Sequence, residues 1–215
     1  FTGMDVLTHA IEAYVSILAN DFTDGLALQA IKLVFGYLPR AVKDGKNDPK
    51  AREKMHNAAT IAGMAFANAF LGMTHALAHN VGAEFHAIHG VACAILLPYV
   101  IRYNGQVPTK LSLWPKYNHY IADEKYQEIA KTLGLKSDTK EEGVESLADA
   151  VTELIKEIGM HTSFKEYGIP ENEWNEKIHH IAMAAYEDQC SPANPRVPLI
   201  KDMEEILRKA YHGIK

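Results

Sequence analysis

Lysine and arginine are missing from two long stretches of this 215-residue chain, 1–31 and 55–101, although the whole carries 22 of them. Cysteine is scarcer still: Cys93 and Cys190 stand far apart, and no CxxC occurs. That suits a reducing compartment better than a disulfide scaffold. With 27 acidic residues the net charge is -5, which disfavours a nucleic-acid partner. Long apolar runs are lacking too. The longest, 58–73, is interrupted by Thr60 and Asn68 and falls short of the roughly 20 residues a membrane span needs. No signal peptide is legible, so a cytoplasmic protein without a membrane partner is expected. No Gly-rich strand-to-helix loop is present to cradle phosphates.

Alternating strands, internal repeats and low-complexity tracts are also absent. What remains is helical periodicity over a composition that is 47% hydrophobic, enough for a real core in one all-α domain spanning 1–215. Met4, Leu7, Ile11, Val15 and Leu18 recur at three- and four-residue steps. This periodicity is already running where the chain opens on Phe1-Thr2-Gly3, as the interior of a longer protein would. Further helices are predicted over 25–38, ending before Pro39, over 51–71 behind Pro49, and over 72–84 and 91–103. Residues 106–120 read as irregular. Amphipathic helices follow over 123–133, 140–158, 171–187 (with Pro170 in the first turn) and 201–211, and 190–198 is a Pro-rich turn.

The second stretch without Lys or Arg holds one acid, Glu84, and five histidines: His56, His75, His79, His86 and His89. Set among Ala, Gly, Met, Phe and Leu, they are expected to be buried and to need partners. Asp5 and His9 are four apart, hence on one helix face, and His75 and His79 repeat that spacing on another helix. An Asp in an apolar helix without a cation is costly to ionise, and a divalent metal between two such helices would supply the charge. Each residue alone has an ordinary structural role open to it: Asp5 as a helix cap, any histidine as a hydrogen-bonded core residue. The conjunction favours a metal.

Gly3-Met4-Asp5-Val6-Leu7-Thr8-His9-Ala10-Ile11-Glu12-Ala13-Tyr14 resembles the first metal motif of the iron-containing alcohol dehydrogenases, and His75-Ala76-Leu77-Ala78-His79 with His89-Gly90-Val91-Ala92 resembles their second. Asp188-Gln189-Cys190 through Ala193-Asn194-Pro195-Arg196 is similar to the same family, notably to the alcohol dehydrogenase region of its bifunctional members. The resemblance implies the helical, bundle-like C-terminal domain of the iron-dependent alcohol dehydrogenase and dehydroquinate synthase-like fold. It further implies one Fe(II) held by Asp5, His9, His75 and His89, with His79 as an added active-site histidine beside nicotinamide and substrate. Phe66 and Cys190 match positions near the substrate cleft, and His86 matches no assigned role. NAD(H), a small alcohol or aldehyde such as ethanol or acetaldehyde, an N-terminal α/β nucleotide-binding domain, and a homo-oligomer or filament complete what the family implies. The nucleotide-binding half has no counterpart here, and Ser191-Pro192-Ala193 stands where relatives often carry Thr-Gly-Gly or Thr-Gly-Ala. Three imidazoles and a carboxylate also suit Zn(II).

Three rivals stay open. A di-iron carboxylate protein would use Glu53 with His56 and Glu176 with His179, both Glu-x-x-His pairs. A non-catalytic assembly fragment would hold metal without turnover. A hydrolase of the HD type lacks its His-Asp dipeptide.

Overall fold

The computed structural model describes residues 1–108 and 120–213, all helix, turn and loop with no strand among them. The helices are α1 (Thr2–Val15), α2 (Asp21–Asp44), α3 (Pro49–Ala69), α4 (Met73–Phe85), α5 (His89–Asn104), α6 (Ala122–Thr132), α7 (Lys140–Glu157), α8 (Phe164–Tyr167), α9 (Glu171–Glu187) and α10 (Ile200–His212). A 3-10 turn, Ser191–Ala193, lies between the last two.

Two apolar clusters share α5. Met4, Leu7 and Ile11 of α1 pack with Ala27, Ile31 and Val34 of α2, with the alanines of α3 and with α6 and α7. The other cluster joins α4, α8, α9 and α10 around Trp174, Phe164 and Tyr211. From α5, Ala94, Leu97 and Ile101 enter the first and Val91, Ile95 and Leu96 the second. A helix apolar all round must be enclosed all round, and α5 is buried without a break from Gly90 to Ile101. The seam between the clusters is where α1 meets α4 and α5.

Most boundaries fall within two residues of the periodicity, and α9 begins and ends where it predicts. Three differences have physical causes. The second helix does not stop before Pro39 but runs on to Asp44; Pro39 costs one backbone bond, and packing of Leu38 and its neighbours carries the helix through. Pro170 is the N-cap of α9 rather than part of its first turn. The short α8 has no room for a periodic signal, and it is set by Ser163, whose Oγ accepts from the Glu166 amide, and by Gly168 at φ 102°. Most of the irregular 106–120 segment lies outside the described residues. Among the described residues no single helix is long and apolar enough to cross a membrane, and α3 and α4, which share the longest apolar run, meet at 105°. The Glu-x-x-His pairs at Glu53 and Glu176 lie on solvated outer faces, not in an interior, and His179 pairs instead with Glu204 at 2.7 Å.

Candidate metal centre

One carboxylate oxygen gathers three imidazoles. Asp5 Oδ1 lies 3.2 Å from His89 Nε2, 3.5 Å from His75 Nε2 and 3.7 Å from His9 Nδ1. Asp5 and His9 share a face of α1, His75 lies in the first turn of α4, and His89 opens α5. Asp5 is not the cap of α1, since Phe1 holds that position. Gly90 lets the helix starts meet: a Cβ there would stand 2.5 Å from the Phe1 carbonyl oxygen. Asp5 Oδ1 and His75 Nε2 are both buried with no hydrogen-bond partner. Orphaned buried polar atoms are rare in folded proteins, and a cation between these two satisfies both, so the residues fit a metal ion.

Glu12, one turn below His9 and only 3% exposed, holds His75 from behind. Its Oε2 accepts from His75 Nδ1 at 2.7 Å and from the Gly72 amide at 2.9 Å, and its Oε1 accepts from the Thr74 amide at 2.6 Å. Asn194 Oδ1 takes the Met73 amide at 3.1 Å, and the Asn194 and Asn104 side chains bind each other amide to amide. The first amides of α4, orphaned in any helix, are thus satisfied by distant side chains, with a carboxylate at the positive end of the dipole. The bond to Glu12 fixes the orientation of the His75 ring and leaves Nε2 facing Asp5. Neither Glu12 nor Asn194 was singled out from sequence. Glu12 falls seven residues after Asp5, on the same face of a helix without Lys or Arg, and that was the available signal.

Cys93, also unanticipated, is four residues after His89, with Sγ 3.5 Å from His89 Nε2. Asp5, His75, His89 and Cys93 each place a donor atom within 4.8 Å of the others, and His9 stands just outside that set. Its ring stacks on Phe66 at 4.4 Å and lies 4.5 Å from His75. Burial pushes the Cys93 thiol well up, with Asp5 and Glu12 adding to it. Burial and the neighbouring His75 push His9 down to about 4. At neutral pH His9 therefore offers a lone pair and Cys93 a protonated sulfur.

Burial also disfavours the His75 cation, but Asp5 and Glu12 outweigh it and lift His75 to about 9. Burial opposes ionisation of Asp5 and Glu12 as well, and their histidine partners overcome it, holding both below the usual carboxylate range. The signs give a pH profile for the metal-free protein. The His75 contribution is complete below pH 6.5 and is lost as pH rises through about 9. The His9 contribution is present above pH 6.5 and is lost as pH falls through about 4. Each limb is worth on the order of 3 kcal/mol. Thermal unfolding of chelator-treated protein should give a Tm maximum near the shared reference value of 6.5; a Tm still rising from there toward pH 9 would refute the His75 environment.

Of the five histidines expected to be buried, only His75 is. His56, His79 and His86 are exposed and His89 is half-buried, because the absence of Lys and Arg around them marks an open face of the centre and two helix surfaces rather than core. His79, 38% exposed, stacks near His89 at 5.4 Å and pairs through Nδ1 with Asp188 Oδ2 at 3.0 Å. Asp188 Oδ1 accepts from the Cys190 amide at 2.8 Å, which places Cys190 beside the same face. His86 is the left-handed cap of α4 at φ 52°, its side chain exposed. Glycine tolerates that conformation without strain, so His86→Gly should leave metal content unchanged and stabilise by up to about 1 kcal/mol. Metal loss in this variant would give His86 a role at the centre.

Comparison with known proteins gives a consistent result. The family model described as "Fe-containing alcohol dehydrogenase family, C-terminal" matches residues 1–211. The chain is 64% identical over 214 residues to the aldehyde-alcohol dehydrogenase of Streptococcus pneumoniae, covering all of this chain and 24% of that protein. The solved structure of a 1,3-propanediol oxidoreductase matches with a TM-score of 0.85 at 37% identity, covering 98% of this chain and 50% of that one. Sulfoacetaldehyde reductase from Bifidobacterium kashiwanohense, solved in complex with NAD+, matches with a TM-score of 0.78 at 31% identity, covering 97% and 49%. The chain thus spans about a quarter of the curated relative and half of each solved one.

Proposed function

We propose, since the chain belongs to the iron-containing alcohol dehydrogenase family and corresponds to its C-terminal region, that it is the metal-binding half of an NAD(H)-linked enzyme interconverting a small aldehyde and its primary alcohol, acetaldehyde and ethanol. The observation that carries this reading is the pair of orphaned buried atoms, Asp5 Oδ1 and His75 Nε2, inside a ring of histidines. Asp5, His9, His75 and His89 would hold one Fe(II), with Zn(II) as a substitute. His9 is preferred to Cys93 because its imidazole is already neutral. Bound here, the ion would supply Lewis acidity toward an alcohol or carbonyl oxygen, and a nicotinamide the hydride exchange.

The remaining work falls to residues of this chain. Glu12 keeps the His75 ring aimed at the centre. His79 donates from Nδ1 to Asp188, which leaves Nε2 to take a proton from the substrate hydroxyl or return it. Phe66, against His9, and Cys190, beyond Asp188, would bound the substrate side. The nicotinamide would reach this open face from a nucleotide-binding domain of the same protein, so these 215 residues alone are expected to hold metal without alcohol-dependent NAD reduction.

The test is ethanol-dependent NADH formation by the whole protein under anaerobic conditions. Wild type should turn over, and His79→Ala should keep its metal while kcat falls by about 10²-fold or more. Metal loss in His79→Ala would make His79 a ligand and remove it from the proton path. Turnover unaffected by Asp5→Ala would overturn the reading.

A further inference from the structure

Beside the Asp5 centre, a second group of donors converges on a different chemistry. His79 from α4, with Asp188 and Cys190 from the turn after α9, each place a donor atom within 4.8 Å of the others. We infer that these three side chains form a second cation site, selective for a soft or borderline divalent ion such as zinc or cadmium.

Their arrangement is already organised. The two Asp188 oxygens are committed in opposite directions, Oδ1 to the Cys190 amide at 2.8 Å and Oδ2 to His79 Nδ1 at 3.0 Å. The turn is closed by the Ser191 amide donating to the Asp188 carbonyl at 3.1 Å and by Ser191 Oγ donating to the Ala185 carbonyl at 2.5 Å. Cys190 forms the floor at 2% exposure, and His79 stands at the solvent side. Ligands of a tetrahedral zinc lie roughly 3.5 Å apart, given bonds of about 2.0–2.3 Å. The imidazole and carboxylate are already that close, so only the sulfur must draw in, by no more than about 1.3 Å from the 4.8 Å limit of the cluster. A water would complete the coordination.

Donor hardness separates the two sites. Three imidazoles and a carboxylate suit iron or zinc, whereas a set containing sulfur favours zinc and cadmium. On binding, the Cys190 S–H bond breaks, its proton leaves to solvent, and a sulfur–metal bond forms, with no change of oxidation state. The ion takes His79 Nδ1, which now faces Asp188; the proton on Nδ1 shifts to Nε2, so the lone pair that would exchange the substrate proton is lost while the ion is bound. The inhibition that follows rests on the proposed dehydrogenase reading, whereas the binding does not. Proximity of His79 to His89, 5.4 Å between ring centroids, makes the second ion the weaker of two like charges.

The experiment titrates cadmium chloride into the whole protein, iron-loaded without oxygen. It follows the ultraviolet thiolate-to-cadmium charge-transfer band, bound metal by mass spectrometry and NADH formation. About one cadmium per chain should bind with retention of iron, the band should grow in step, and turnover should fall. Cys190→Ser, and Cys190→Ala as a second variant with folding checked by circular dichroism, should lose the band and weaken binding by about 10²-fold. Cys93→Ser should keep the band. A band surviving in both Cys190 variants, or lost in Cys93→Ser with release of iron, would place cadmium at the Asp5 centre and overturn the inference, as would absence of cadmium uptake. If the protein shows no dehydrogenase activity at all, the function reading fails, while the band and its dependence on Cys190 still decide the site.

Discussion

Asp5→Ala is expected to empty the metal centre. Among the described residues the carboxylate is the one group that touches all three ligand histidines, at 3.2, 3.5 and 3.7 Å. It is also the only anion of the proposed ligand set. Structural zinc sites bind with about 10–16 kcal/mol, so each of four ligands carries about 3 kcal/mol, or roughly 10²-fold in affinity. Losing the single charged ligand exceeds that share, and metal content after gel filtration should fall to background. Asp5→Asn, which keeps the shape and removes the charge, should fall nearly as far. His75→Ala should act likewise. Full metal content in both Asp5→Ala and His75→Ala would remove these residues from the centre and leave their orphaned atoms without an explanation.

Glu12→Ala should do the most damage to the fold. The carboxylate is buried, yet it accepts from two backbone amides and one imidazole. Truncation leaves three buried donors without a partner, a loss of about 3–5 kcal/mol. For a domain of this size that is a Tm drop of about 10 °C or more. The same change frees the His75 ring, and metal affinity should fall 10- to 100-fold, about what removing such an outer partner costs. Glu12→Gln separates the two effects. It fills the space and can still accept from one amide, so it should recover part of the Tm while metal affinity remains low. A Glu12→Ala protein that melts with wild type would mean the cradle under α4 contributes nothing.

The split between what the sequence revealed and what it hid follows from chain separation. Asp5 with His9, and His75 with His79, are neighbours at one helical turn, so spacing alone paired them. Local periodicity located the long helices, and α5 was legible because an apolar helix has to be enclosed. Glu12 serves Gly72 and Thr74, some sixty residues away, and Asn194 serves Met73 across 121 positions. No window along the chain contains both partners of such bonds. Glu12 lies on the face of α1 that carries Asp5, and a buried acid without a nearby cation calls for a partner at both positions alike. The histidines differ from expectation for another reason: a stretch without Lys or Arg can be a core or an open site face, and composition does not separate them. Pro39 shows tertiary packing overriding a local breaker.

The most direct test is metal per chain in the whole protein, purified without oxygen or chelator and measured by mass spectrometry. The account predicts about one iron, or zinc in its place, lost on Asp5→Ala and retained on His79→Ala. About two irons per chain, or none in folded protein, would contradict it.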